Sequence, residues 1–121
     1  MNEMVSTVFP VHAAGGEPVV CNPDLRLRMD EPEADQFASI FKALGHPVRL
    51  QIMDLIAQGG GQICGCDIER HFELTQPTIS HHLKVLRDAG LIVSEPRSVN
   101  VYHKVNPAVL VTLQTMLGQL A

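Results

Sequence analysis

The chain has 121 residues, 45% of them apolar and 18% charged, which is enough for one domain with a hydrophobic core and argues against global disorder. Aromatic residues make up only 4%, which argues against proteins that stack single-stranded bases or sugars on aromatic rings. The net charge of −4 lies in residues 1–40, because residues 41–121 carry seven basic against six acidic side chains, so a nucleic-acid partner is not excluded.

The expected compartment follows from what the sequence lacks. No apolar run approaches the roughly 20 residues of a membrane span, so no membrane partner is expected. The N-terminus carries no lysine or arginine, unlike the start of a secretion signal. We therefore expect a cytoplasmic protein, in which three cysteines favour thiol chemistry or metal binding over a disulfide framework.

Two regions of the chain differ in pattern. Residues 1–32 hold four of the eight prolines and show no sustained periodicity, which predicts a flexible N-terminal arm carrying Cys21. From residue 33 apolar residues recur at helical spacing, which predicts the first helix of a domain over 33–121. The recurring positions are Phe37, Ile40, Phe41 and Leu44.

Glycines and prolines divide the rest of this domain into further elements. The predicted helices span residues 46–59, 65–72 and 76–89, and a last helix begins at Asn106-Pro107. Residues 91–95 and 100–105 predict a β-hairpin with Pro96-Arg97-Ser98 at its tip. The expected fold class is mainly α with a small β-hairpin.

The predicted helix over 76–89 has two faces. At 100° per residue, Ile79, Leu83 and Leu86 fall on one apolar side. Such a helix, after a short helix and a turn, is typical of a helix-turn-helix that reads base edges in double-stranded DNA, and the hairpin makes it winged. His82 falls on the apolar side and is expected to pack there, bonded to a backbone group. The predicted DNA-binding residues are Gln76, Thr78, Ser80 and His81 for bases, Lys84 for phosphate and Arg97 for the adjacent minor groove.

Residues 34–106 resemble the ArsR/SmtB family of metal-responsive repressors. The resemblance rests on three segments in the family's order and spacing, residues 41–50 (FKALGHPVRL), 63–68 (ICGCDI) and 75–92 (TQPTISHHLKVLRDAGLI). It implies a homodimeric winged-helix repressor, not an enzyme, that leaves its operator when a metal or metalloid binds. In the family the first and last helices form the dimer interface, which fits the wide apolar face over residues 109–120.

The cysteine pair lies at the start of the first helix of the helix-turn-helix. A helix N-terminus favours thiolate over thiol at Cys64 and Cys66. Because residues i and i+2 of a regular helix point about 200° apart, both sulfurs can bind one ion only if the first turn unwinds or lies outside the helix. Gly65 makes this easier. Ion binding should then compete with the geometry that aims the DNA-reading helix.

Two thiolates leave a coordination sphere incomplete, and Cys21 is the remaining thiol. Three sulfurs suit As(III) or Sb(III), because soft thiolates select soft centres. The arsenic-responsive branch of the family often has a third cysteine where this chain has Glu69, so Cys21 is the expected substitute. Cd(II), Pb(II) or Zn(II) stays open, with His12 or His71 as a further donor.

Three hypotheses follow. The leading one is a dimeric repressor that As(III) or Sb(III) releases from DNA by binding Cys21, Cys64 and Cys66. The second keeps the repressor but changes the signal to Cd(II), Pb(II), Zn(II) or an oxidant that pairs Cys21 with one of the other two, a direct Cys64–Cys66 bridge being expected to be strained. The third is a thiol enzyme or metal carrier without DNA binding, for which the spacing offers no acid–base pair.

Overall fold

The computed structural model describes residues 20–121, so residues 1–19 of the predicted arm, with His12, lie outside the described residues. Within this part of the chain the fold is mainly helical with a small sheet, as predicted. No helix there is both long and apolar enough to cross a membrane. The elements in chain order are α1 (Glu31–Leu44), α2 (Pro47–Gly59), β1 (Ile63–Cys64), α3 (Gly65–Glu69), α4 (Gln76–Asp88), β2 (Ile92–Arg97), β3 (Asn100–Val105) and α5 (Pro107–Gln119).

Four of the helices begin with a polar cap followed within two residues by proline. The cap side chain accepts a hydrogen bond from a first-turn N–H that the helix itself leaves unpaired, and proline at this position gives up no helical hydrogen bond. The caps are Asp30, His46, Thr75 and Asn106. Because Asp30 caps α1, that helix begins two residues before the start predicted from apolar spacing.

One hydrophobic core joins the helices to the sheet. α4 contributes Ile79, Leu83 and Leu86, the three residues predicted for its apolar side, and each is at most 6% exposed. This one-sided burial leaves the opposite side of α4 facing outward. The remaining buried members of the core are Ile40, Ala43, Ile52, Met53, Ile56, Ile68, Leu91, Ile92, Leu113 and Met116.

The sheet contains a strand that the sequence analysis did not predict. β1 pairs antiparallel with β3, which also pairs with β2, so the strand order is β1-β3-β2. Ile63 lies opposite His103 and Cys64 lies opposite Tyr102. A strand of two residues is too short to show an alternating pattern, which is why it escaped prediction.

The hairpin turn lies further along the chain than predicted. Pro96 and Arg97 belong to β2 and are paired with β3, so the prediction that they form the tip is wrong. The turn is made by Ser98 and Val99, and Ser98 has a φ of 58°. Two-residue hairpin turns need left-handed backbone of this kind, and the chain has no Asn-Gly or glycine here to signal it.

The last helix buries one stripe of apolar side chains and exposes another. Leu113 and Met116 lie in the core, whereas Val111, Leu117 and Leu120 are 49% to 68% exposed. An open groove of about 730 Å³ runs between α5, α1 and residues 26–29. The first and last helices of the predicted domain therefore share a partly uncovered apolar surface.

Candidate nucleic-acid interface and thiol site

The outward side of α4 carries the residues predicted to contact DNA from this helix. The exposed side chains there are Gln76, Thr78, Ser80, His81 and Lys84. Thr78 is tied to the helix cap, since its Oγ1 lies 2.9 Å from the Oγ1 of Thr75 and its N–H donates to that same oxygen at 3.3 Å. Short polar side chains at a helix N-terminus can reach base edges when that end enters the major groove.

Lys84, the predicted phosphate ligand, is paired within its own helix. Its Nζ lies 2.7 Å from Oδ2 of Asp88, one turn further along, and both side chains are about 60% exposed. The hydrogen bond from Lys84 lowers the pKa of the Asp88 carboxyl. Because exposed pairs of this spacing contribute little, Lys84 can leave Asp88 for a phosphate at small cost.

The inner side of α4 is held by Arg49 of α2. Its Nη1 lies 3.3 Å from Nδ1 of the buried His82, while its Nε and Nη2 donate to the backbone carbonyls of Ala43 (2.6 Å) and Lys42 (3.3 Å) at the end of α1. His82 packs as predicted, but its partner is this guanidinium rather than a backbone group. Burial, followed by the neighbouring His46 and Arg49, lowers the pKa of His82. Arg49 thereby joins α1, α2 and α4, and sequence reasoning missed it because its partner is 33 residues away.

Arg97, the predicted minor-groove residue, is folded back on the sheet. Its Nη1 donates to Oε1 of Gln62 at 3.2 Å and its Nη2 to Oε1 of Glu95 at 3.1 Å. The guanidinium carbon lies 4.8 Å from the centroid of the Tyr102 ring. The side chain stays 40% exposed, so Arg97 is partly accessible in spite of these contacts.

Cys64 and Cys66 lie together, as a shared site requires. Cys64 is the N-cap of α3 with extended backbone (φ −99°, ψ 168°), so it lies just outside the helix. Its Cα is 5.3 Å from that of Cys66, and the two sulfurs are joined as a disulfide. Cys64 is buried and Cys66 is exposed. The first turn need not unwind, because the first cysteine precedes it.

The prediction that an oxidant would pair Cys21 with Cys64 or Cys66 is therefore wrong. The oxidised pair is Cys64 with Cys66, not Cys21 with one of them, and Cys21 is free and exposed. A direct bridge between the two was expected to be strained. Cys64 has extended backbone, so its side chain does not follow the helical rotation and reaches that of Cys66.

Asp67 joins the thiol pair as a third candidate ligand. Its carboxylate oxygen and the two sulfurs all lie within 4.8 Å of one another. The same carboxylate accepts a hydrogen bond from the backbone N–H of Cys64 (3.0 Å, to Oδ2), and so it also stabilises the start of α3. Asp67 was not among the ligands predicted from the sequence, although an acidic residue three positions after a helix cap is a recognised signal for a carboxylate directed at that cap.

The other predicted donors lie elsewhere. Cys21 and His71 are both described, and neither belongs to the cluster of Cys64, Cys66 and Asp67. His71 lines a small cavity beside α2 instead.

A second hydrogen-bonded group links the sheet to the far end of α4. Nδ1 of the buried His103 lies 2.8 Å from Oγ of Ser94, which also lies 3.5 Å from Nη1 of Arg87. Burial is the main cause that lowers the pKa of His103, and the Arg87 cation adds to it. His103 is therefore neutral at pH 7.

The buried histidines predict a loss of stability in acid. Since the folded-state pKa of His82 and His103 lies below the ordinary value near 6.5, the unfolded chain binds more protons once the pH falls below that value. The free energy of unfolding should be flat with respect to these groups above about pH 7 and should fall with pH from about 6.5 downward. Urea unfolding at a series of pH values measures it.

The matched variant for this prediction is His103→Gln, which keeps a hydrogen-bonding side chain but does not titrate. It should show a shallower fall in unfolding free energy over the same range than the unmodified chain. An unchanged slope would contradict the assignment of His103 as a buried neutral group.

Comparison with known proteins agrees with this arrangement. The family profile described as "Bacterial regulatory protein, arsR family" matches residues 46–94, which run from the start of α2 into β2. The chain is 36% identical over 75 residues to the arsenical resistance operon repressor of Staphylococcus aureus, covering 62% of this chain and 70% of that one. It is 38% identical over 72 residues to the transcriptional repressor SdpR of Bacillus subtilis, covering 60% of this chain and 78% of that one.

The fold is also found among solved structures. An ArsR-like transcriptional regulator from Rhodococcus superposes with a TM-score of 0.65 at 19% identity, covering 74% of this chain and 83% of the other. This likeness supports the winged-helix architecture.

Proposed function

Because this chain belongs to the arsR family of bacterial regulatory proteins, we propose that it binds operator DNA as a homodimer and is released when As(III) or Sb(III) binds its thiols. It is a transcriptional regulator of this family rather than an enzyme. The inducer part of the proposal is carried by one observation, the two sulfurs and one carboxylate gathered at the start of α3.

The DNA-binding part of the proposal uses the outward face of α4. Gln76, Ser80 and His81 offer donors and acceptors to base edges, and Lys84 offers a cation to phosphate. Arg97 lies beside the hairpin turn, from where its cation would reach the minor groove next to the site of α4. The acidic balance lies in residues 1–40, none of which is among these DNA-binding residues.

The homodimer is proposed on the surface of the first and last helices. Val111 and Leu117 of α5 and its C-cap residue Leu120 are exposed, and Phe41 of α1 is 41% exposed. A second copy placed on this surface would bury these side chains and present two copies of α4 to a palindromic operator.

The choice of inducer rests on the donor types. Two sulfurs provide soft ligands for As(III), and the relative from Staphylococcus aureus is named for arsenical resistance. Cys21 would supply a third sulfur from the arm of the same or the second subunit. The Asp67 oxygen keeps Cd(II), Pb(II) and Zn(II) as alternatives for the same site.

The thiol site is coupled to α4 through α3. Cys64 is the cap of α3, and its N–H is held by the Asp67 carboxylate. When both sulfurs bind one ion, the ion sets their separation and shifts Cys64, which disturbs the hydrogen bond between its N–H and the Asp67 carboxylate. The first helix of the helix-turn-helix then loses its anchoring contact, and the orientation of α4 for DNA changes with it.

A second candidate signal is an oxidant, and the Cys64–Cys66 bridge favours it. A peroxide would accept two electrons from the two thiols and be reduced to water, while the thiols form the disulfide and release their protons. The repressor scaffold and its DNA surface would be the same.

The test is a metal-by-metal titration of the reduced protein on a palindromic duplex selected from random-sequence DNA. Arsenite should release the DNA in a gel-shift assay, and X-ray absorption of the arsenite-bound protein should count three sulfurs around arsenic. Two sulfurs would exclude Cys21. Release only by peroxide or only by Cd(II), Pb(II) or Zn(II) would replace the inducer, and failure to select any duplex would overturn the DNA-binding function.

A further inference from the structure

The cysteine strand has a single neighbouring strand in the sheet. β1 pairs with β3, so Cys64 lies opposite Tyr102. β3 in turn pairs along its whole length with β2, whose last residue is Arg97. A displacement of Cys64 therefore reaches β3 first and the hairpin next.

Arg97 contacts both β3 and the residues that precede β1. Its guanidinium lies over the ring of Tyr102, the residue opposite Cys64. The same guanidinium donates to Oε1 of Gln62 (3.2 Å) and, more weakly, to the carbonyl of Gly61 (3.5 Å), which are the residues that lead the chain into β1. One cation thus contacts both the strand partner of the thiol residue and the segment just before it.

We infer that Tyr102 and Gln62 position Arg97 for the operator, and that a change of state at the Cys64–Cys66 pair withdraws this support. Part of the loss of DNA affinity then arises at the hairpin rather than at α4. The inference rests on the proposed function, because it concerns how the thiol site acts on DNA. Two free thiols, two sulfurs that share an ion and two bonded sulfurs differ in separation, and Cys64 cannot move without disturbing a strand of only two residues.

Tyr102 is its own spectroscopic probe, because the chain has one tyrosine and no tryptophan. Titrating the reduced protein with sodium arsenite should change the tyrosine emission in parallel with the thiolate absorption band. Cys66→Ser should abolish both changes. A thiolate band that saturates while the tyrosine emission stays constant would overturn the inference.

Operator binding provides the second test, with Tyr102→Leu removing the ring and Tyr102→Phe keeping it. An exposed cation–π contact predicts a loss of about 2–5-fold in affinity for Tyr102→Leu and little change for Tyr102→Phe. Combining Tyr102→Leu with Arg97→Ala should weaken binding no more than Arg97→Ala alone. Additive losses, or equal losses in both Tyr102 variants, would contradict the positioning role. If Tyr102→Leu does not fold, Gln62→Ala, a change at an exposed residue, replaces it in the double-mutant comparison with Arg97→Ala.

The two proposals fail in different ways. If arsenite produces neither a thiolate band nor DNA release, the proposed inducer is wrong. The inference is then decided by comparing the tyrosine emission and operator affinity of the reduced and disulfide-bonded forms. The inference is supported if the two forms differ in operator affinity and Tyr102→Phe shows the same difference. It is overturned if the two forms have the same emission and the same operator affinity.

Discussion

Cys64→Ser is expected to leave operator binding intact and to abolish release by arsenite. Serine has the same connectivity as cysteine with a smaller polar atom and is a favourable helix cap, but its hydroxyl is not a soft ligand. Coupling between two sites is typically about 5–150-fold in affinity, and this factor should fall to about one in the variant. A gel-shift titration with and without arsenite measures both numbers.

Two further variants separate the thiols. Cys66→Ser should behave like Cys64→Ser, because either change leaves one sulfur of the pair. Cys21→Ser should weaken the response to arsenite if the arm supplies a third sulfur, and should leave a response to peroxide unchanged, since the disulfide joins the other two. Release of DNA from Cys64→Ser at the same arsenite concentration as the unmodified chain would show that the inducer site lies elsewhere.

Gln76→Ala is expected to weaken specific DNA binding by about 5–150-fold and to relax the sequence preference at one position. This is the range of one to three kcal/mol that a bidentate base contact typically contributes, at about 1.4 kcal/mol for each tenfold change. Gln76 is exposed at the start of α4, where the helix end can enter the groove. Competition between operator variants measures the change in preference.

Lys84→Ala provides the contrast, because a phosphate contact carries no sequence information. It should weaken binding to all duplexes alike and reduce the dependence of affinity on salt by about one counterion. Asp88→Asn is the matched control, since it frees Lys84 from its intrahelical partner and should strengthen binding slightly. If Gln76→Ala weakens every sequence equally, α4 does not read bases through this residue.

The helices could be predicted from the sequence because their signals are local. Pro77 after Thr75 fixes the start of α4, and the spacing of Ile79, Leu83 and Leu86 fixes its buried face. The outward placement of the residues proposed to read DNA follows from that burial. The order of the helices and the hairpin along the chain was then sufficient to predict the winged-helix fold.

The thiol site was harder to predict because its geometry depends on a non-local pairing. β1 exists because Ile63 and Cys64 meet His103 and Tyr102, some 40 residues later, and nothing in a two-residue segment signals this. That pairing holds Cys64 in an extended conformation outside α3. For the same reason the contact of Arg97 with Gln62, 35 residues away, could not be read from a local pattern.

On the proposed mechanism, thiol capture and operator binding require different geometries at the start of α3. Because the two ligands are linked, each should weaken the binding of the other, and titrating arsenite by thiolate absorption with and without saturating operator duplex measures this. DNA should weaken arsenite binding by the same factor by which arsenite weakens DNA binding. Equal arsenite affinity in both titrations would contradict it.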